Sequence, residues 1–220
     1  MIRTLTIDPP AWNKREIMRY ARIRGADNSY DALIDECIRE AEPLLTYRVC
    51  CTTLPVDPDG GFMIGNERVI SQTFGKAIRG SEAVILFAAT VGSPFDRLIA
   101  RYSRVEPSKA LICQAIGAER VESLCDAFCA QMSTELSKTG KCLTRRVSPG
   151  YGDIPLSLQK EIFAVLDCPR KIGLTLDQSM LMSPSKSVTA IAGIADGCVE
   201  QSEKCASCNK TDCAYRNKSF

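Results

Sequence analysis

A chain of 220 residues with 45% hydrophobic and 25% charged side chains has the make-up of one globular domain with a sizeable core, alone or with a short appendix. A net charge of +2 gives too weak a field to draw nucleic acid, and no apolar run reaches membrane-spanning length, so neither is expected as a partner. Histidine is absent, which excludes Ser-His and Cys-His nucleophiles, an imidazole base and an imidazole metal ligand, and leaves twelve cysteines as the soft donors.

In chain order, Met1-Ile2-Arg3-Thr4 lacks the apolar h-region of a secretory signal, so a cytoplasmic location with reduced thiols is expected. Residues 2–7 read as a strand. Residues 14–23 read as a helix with Ile17, Met18, Tyr20 and Ala21 inward, ended by Arg24-Gly25. Asn28-Ser29 offers an N-cap to a second helix carrying Leu33, Cys37, Ile38 and Ala41 at helical spacing. Residues 47–54 are β-branched and cysteine-rich, a strand in which Cys50 and Cys51 point to opposite faces. Asp57-Pro58-Asp59-Gly60-Gly61 is a turn, so residues 62–64 are expected to return as a hairpin partner of that strand.

A short helix is predicted at 72–78. Residues 83–89 form a continuous apolar run, the pattern of a central strand buried on both faces. Residues 93–103 are an amphipathic helix. Residues 107–138 are one long helix or two joined ones, with Ala110, Ile112, Cys113, Ile116, Val121, Leu124, Phe128 and Met132 inward. Cys113, Cys125 and Cys129 sit in this text as small buried hydrophobes. Residues 157–166 read as a helix, and 172–176 and 188–194 as strands. There is no βαβ alternation and no internal repeat. The fold class expected is α+β, a largely antiparallel twisted sheet flanked by helices. Residues 1–197 form the single domain and 198–220 a cysteine-rich tail.

The segment Arg145-Arg146-Val147-Ser148-Pro149-Gly150-Tyr151-Gly152-Asp153-Ile154-Pro155-Leu156 concentrates the chemistry. Pro149-Gly150 is a turn signal, and Pro155 keeps its successors from pairing as an inner strand. A guanidinium, an aromatic face and a glycine that admits close approach suit a small zwitterion carrying an aromatic base. Arg146 would pair with a carboxylate for about 1.5–3 kcal/mol, and Tyr151 would lie on a cation or a base for about 0.5–2 kcal/mol. The chain carries no G-x-G-x-x-G after a strand and no P-loop.

Arg146-x-x-Pro149-Gly150-Tyr151, with Met182-x-Pro184-x-Lys186-Ser187-Val188 later in the chain, resembles the activation domain of cobalamin (vitamin B12)-dependent methionine synthase, most closely its stand-alone relatives. Arg19-Tyr20, Ala88-Ala89-Thr90-Val91-Gly92 and residues 117–128 look similar too. The resemblance implies S-adenosylmethionine binding by Arg146, Ser148, Pro149, Gly150 and Tyr151. It implies a carboxylate from the long helix, Asp126 or, one turn earlier, Glu122. Lys186 is expected to reach the ligand's polar end or a partner's corrin amides. The implied function is reductive reactivation (remethylation) of cobalamin in a methionine synthase or related corrinoid methyltransferase, as an accessory protein of methionine biosynthesis. Cobalamin would be carried by that partner, and the electron would come from a flavodoxin- or ferredoxin-like donor. Methyl transfer from a sulfonium to reduced cobalt needs orientation and electrostatics but no proton shuttle, which suits a chain without histidine. The pattern departs from the family in lacking a contiguous N-terminal Asp-Trp element, since Asp8 and Trp12 stand apart.

Cys198-x6-Cys205-x2-Cys208-x4-Cys213 satisfies the ligand count of a four-thiolate zinc site or an iron–sulfur cluster, and the spacing does not separate the two. It opens two rival readings: an iron–sulfur redox activator of a corrinoid protein, and a zinc-stabilised small-molecule-binding or interaction domain.

Overall fold

The computed structural model describes residues 1–23 and 30–196. Five strands form one sheet: β1 (Arg3–Thr6), β2 (Arg48–Pro55), β5 (Ser81–Thr90), β6 (Lys141–Leu143) and β9 (Ser187–Asp196), in the order β1-β2-β5-β9-β6. Every neighbouring pair is antiparallel. β5 lies in the middle, and Val84 to Thr90 are all buried, as the unbroken apolar run predicts. Antiparallel pairing through β5 confirms the α+β class.

The sheet has a core on each face. One contains Cys51, Ile85, Phe87, Ala190 and Ala192 and is covered by α1 (Lys14–Tyr20), α2 (Asp31–Ala41), α4 (Ser93–Val105) and α5 (Pro107–Ser137). The other contains Cys50, Val84, Leu86, Ala88 and Ile191. It is covered by the hairpin β3 (Phe62–Ile64) and β4 (Glu67–Val69), with α3 (Gln72–Ala77), α6 (Gln159–Leu166) and α7 (Cys168–Ile172). Cys50 and Cys51 thus face opposite layers, a consequence of the two-residue period of a strand. Cys113 and Cys125 are buried and Cys129 is half-buried.

The structure corrects several expectations. Residues 62–64 do not pair with the 47–54 strand. β3 pairs with β4 instead, with Phe62 opposite Val69, because Gly65 at φ +59° turns the chain back at once. The 172–176 strand is reduced to Thr175–Leu176 (β7), which pairs with Met182–Ser183 (β8), while Ile172 ends α7. Pro169 in the first turn and Gly173 at φ +70° just past the end are helix start and stop signals. The first helix stops at Tyr20. Arg24-Gly25 and Asn28-Ser29 lie outside the described residues. α5 is a single helix of 31 residues.

Candidate functional site

α5 carries Glu122 and Asp126 one turn apart, so both carboxylates stand on one face. Arg146 meets them from the sheet edge. β6 pairs with β9 at Leu143↔Ile194, and Val147 pairs with Ile191 through bonds of 2.8 and 2.9 Å. The register slips by one residue between these pairs, so Arg145-Arg146 forms a bulge at the edge of the sheet. A bulge re-aims the side chains it carries. Here Arg146 donates from Nη2 to Glu122 Oε2 at 2.7 Å and from Nη1 to Asp126 Oδ1.

The guanidinium side chain is 11% exposed, whereas Glu122 is 42% and Asp126 64% exposed. The cation is therefore inside and the carboxylates face water. Burial, the largest influence on Arg146, works against its charge, but the surrounding anionic groups outweigh it and raise its pKa. One guanidinium against two carboxylates leaves an excess of negative charge on the outer side. Cys125, between them on α5, is fully buried, and burial pushes its thiol up. Tyr20, at the end of α1, has its pKa raised first by burial and then by the charge of Glu122.

Beyond Arg146 the chain makes the tight turn its sequence announces. Pro149 is buried and Ser148 is half-buried. Gly150 has φ +90°, and Gly150 N donates to Ile154 O at 3.0 Å. A side chain at Gly150 would be strained and would meet Leu156 Cδ1 at 3.3 Å. Tyr151 is 69% exposed.

The structure thus brings Arg146, Glu122 and Asp126 into one cluster, with Ser148, Pro149, Gly150 and Tyr151 on the adjoining turn. Lys186 stands elsewhere. Its aliphatic stem crosses α5 at Gly117, where a Cβ would come within 2.7 Å of it and 2.8 Å of Phe95. Burial lowers its pKa, with Asp96 acting in the opposite sense. Cys198, Cys205, Cys208 and Cys213 lie outside the described residues. Among the described residues no cluster of three or more metal-ligating side chains occurs, and no helix is long and apolar enough to cross a membrane.

Trp12 is not at the cluster. Its ring stacks on the Arg120 guanidinium at 3.9 Å. Sequence reasoning gave no role to Tyr20 at this site, because a tyrosine on an inward helix face reads as core. It also noted no role for Asp153, whose carboxylate binds the start of α3. The available signal was Ser71, an N-cap with no Glu or Gln three residues on, which leaves first-turn N–H groups for another acceptor.

No family model and no curated protein sequence matches the chain. Among solved structures, the MetH reactivation domain bound to AdoHcy is similar, with a TM-score of 0.61 over 88% of this chain and 78% of that one, at 13% sequence identity. At that identity the similarity establishes a shared α+β fold.

Proposed function

We propose that this chain binds S-adenosylmethionine beside Arg146 and the Gly150-Tyr151 turn. In this reading it serves reductive reactivation of a cobalamin carried by a methionine synthase or related corrinoid methyltransferase in the cytoplasm. The observation that carries the reading is a guanidinium–dicarboxylate cluster followed within a few residues of the chain by an exposed aromatic–glycine turn, on the fold of a domain that holds AdoHcy.

The residues fit such a ligand. Tyr151 offers an exposed ring face, and Gly150 lets the backbone come close. The outward carboxylates of Glu122 and Asp126 suit the ligand's cationic centres, its ammonium and sulfonium. A ligand carboxylate would reach Arg146 by exchanging with Asp126, the more exposed of its two partners. When bound, S-adenosylmethionine supplies an activated methyl group. The chain's part is to hold that ligand in place and keep its charged groups matched, with no proton to move. The protein is then an accessory to methyl transfer, and the electron that reduces the partner's cobalamin comes from a flavodoxin- or ferredoxin-like donor. A tail metal at Cys198, Cys205, Cys208 and Cys213 is supported by sequence spacing alone; anaerobic purification and then iron and zinc analysis tests it.

Isothermal titration with S-adenosylmethionine tests the reading. One saturable site is expected in the wild type. Absence of heat at high ligand concentration, with unchanged thermal stability, contradicts it.

A further inference from the structure

The turn that carries Tyr151 is fastened to the rest of the molecule through Asp153. We propose that Asp153 is a positioning residue of the ligand site, clamping the Gly150-Tyr151 turn onto the first turn of α3. This rests on the function proposed above and adds the residue that fixes the site's aromatic wall.

The clamp consists of several bonds. Asp153 Oδ1 accepts from Ser71 Oγ at 2.6 Å and from Thr73 N at 3.1 Å, and Oδ2 accepts from Gln72 N at 2.8 Å. These N–H groups open α3 and have no partner within the helix. Ser71 itself caps Phe74 N at 3.1 Å, so one hydroxyl joins the helix cap to the Asp153 carboxylate. Asp153 N donates back to Thr73 Oγ1 at 3.4 Å. Gly152, at φ +61°, lies so close that a Cβ there would stand 2.1 Å from Thr73 Oγ1. Two consecutive residues after Tyr151 are therefore seated on α3.

α3 is a fixed base for such a clamp. Phe74 and Ile78 are buried in the second core, and Phe74 meets Phe62 edge to face at 5.5 Å. At the other end Val147 is paired with β9, and Ile154 is buried in the core. Tyr151 packs little of its own surface, so its placement depends on the backbone around it. Bonds to a charged acceptor at that backbone are the strong kind. Releasing the clamp leaves the exposed part of the turn free to swing, and the ligand must then order it on binding.

The test is a double-mutant cycle read by titration with S-adenosylmethionine. Asp153→Ala is expected to weaken binding by about tenfold. Asp153→Asn, which keeps one acceptor oxygen but loses the charge and turns an NH2 group toward the other α3 donor, is expected to recover only part of that loss. In a Tyr151→Ala background, Asp153→Ala is expected to change affinity by less than about twofold, because the residue acts through Tyr151. A general loss of structure would instead lower affinity by the same factor in both backgrounds. Equal affinity of wild type and Asp153→Ala, or fully additive effects, overturns the inference while leaving the ligand site standing. A wild type that does not bind removes the site and its positioning residue together.

Discussion

Two arginines on neighbouring elements meet carboxylates of the same helix and are put to opposite uses. Arg120 and Glu119 are 0% and 1% exposed, with bonds from both Nε and Nη2 of the arginine to the carboxylate. Two further donors of Arg120 end on Pro10 O at 2.7 Å and Ala11 O at 2.8 Å, the Tyr47 hydroxyl lies against the same guanidinium, Trp12 covers its face, and Ser123 donates to Glu119. No buried side-chain nitrogen or oxygen of Arg120 or Glu119 is left without a partner, so the cluster fastens the N-terminal segment to α5 and is closed to a ligand. Arg146 is nearly as enclosed, but its partners Glu122 and Asp126 lie in water with free carboxylate oxygens. Exposure of the anions, more than burial of the cation, separates a structural ion pair from a candidate site.

Breaking the sealed cluster should have the largest effect. Arg120→Ala leaves Glu119 buried without its cation, and a loss of about 3–5 kcal/mol in unfolding free energy is expected from denaturant titration. Arg146→Ala should act in the other sense. Its carboxylates can be solvated once the cation is gone, so stability should fall by clearly less than in Arg120→Ala, while S-adenosylmethionine affinity falls by about 1.5–3 kcal/mol. Comparable losses of stability in the two variants would erase the distinction. Tyr151→Ala removes an exposed ring, so an affinity loss of about 0.5–2 kcal/mol with an unchanged thermal midpoint is expected.

The smallest effect concerns acid. Hydrogen bonds from Ser71, then Thr73 and Gln72, hold the Asp153 carboxyl well below its usual range. A carboxyl depressed in the folded state contributes stability above its unfolded pKa, about 4, and loses it as pH falls further. Wild-type stability should therefore decline more steeply below that pH than that of Asp153→Asn. Parallel acid titrations of the two would contradict the clamp.

Legibility depended on how far each signal reaches along the chain. The apolar run at 83–89 and the long periodic stretch at 107–138 state their environment locally, and both became the elements expected, β5 and α5. β6 has only three residues and no pattern of its own; it exists because β9 offers it an edge. The 62–64 segment has a clear turn before it, but its partner is set by Gly65 after it. Residues 172–176 contain β-branched and apolar side chains that favour a strand, yet the Pro169 and Gly173 caps outweighed them. At the site, the Pro149-Gly150 turn was visible in the residues, whereas the candidate carboxylates on the long helix came only from the family resemblance. The internal pairing of Arg146 was not visible. It depends on a one-residue bulge against β9, a long-range register that no short window contains. The fixed seat of Asp153 on α3 joins residues some eighty positions apart and was hidden for the same reason.

The most direct measurement is a crystal structure of the chain with S-adenosylhomocysteine. The account predicts adenosyl density against Tyr151 and Gly150, with the amino-acid end at Glu122, Asp126 and Arg146. Density at another surface, or an unaltered Arg146–Asp126 pair with the ligand absent at saturating concentration, would contradict it.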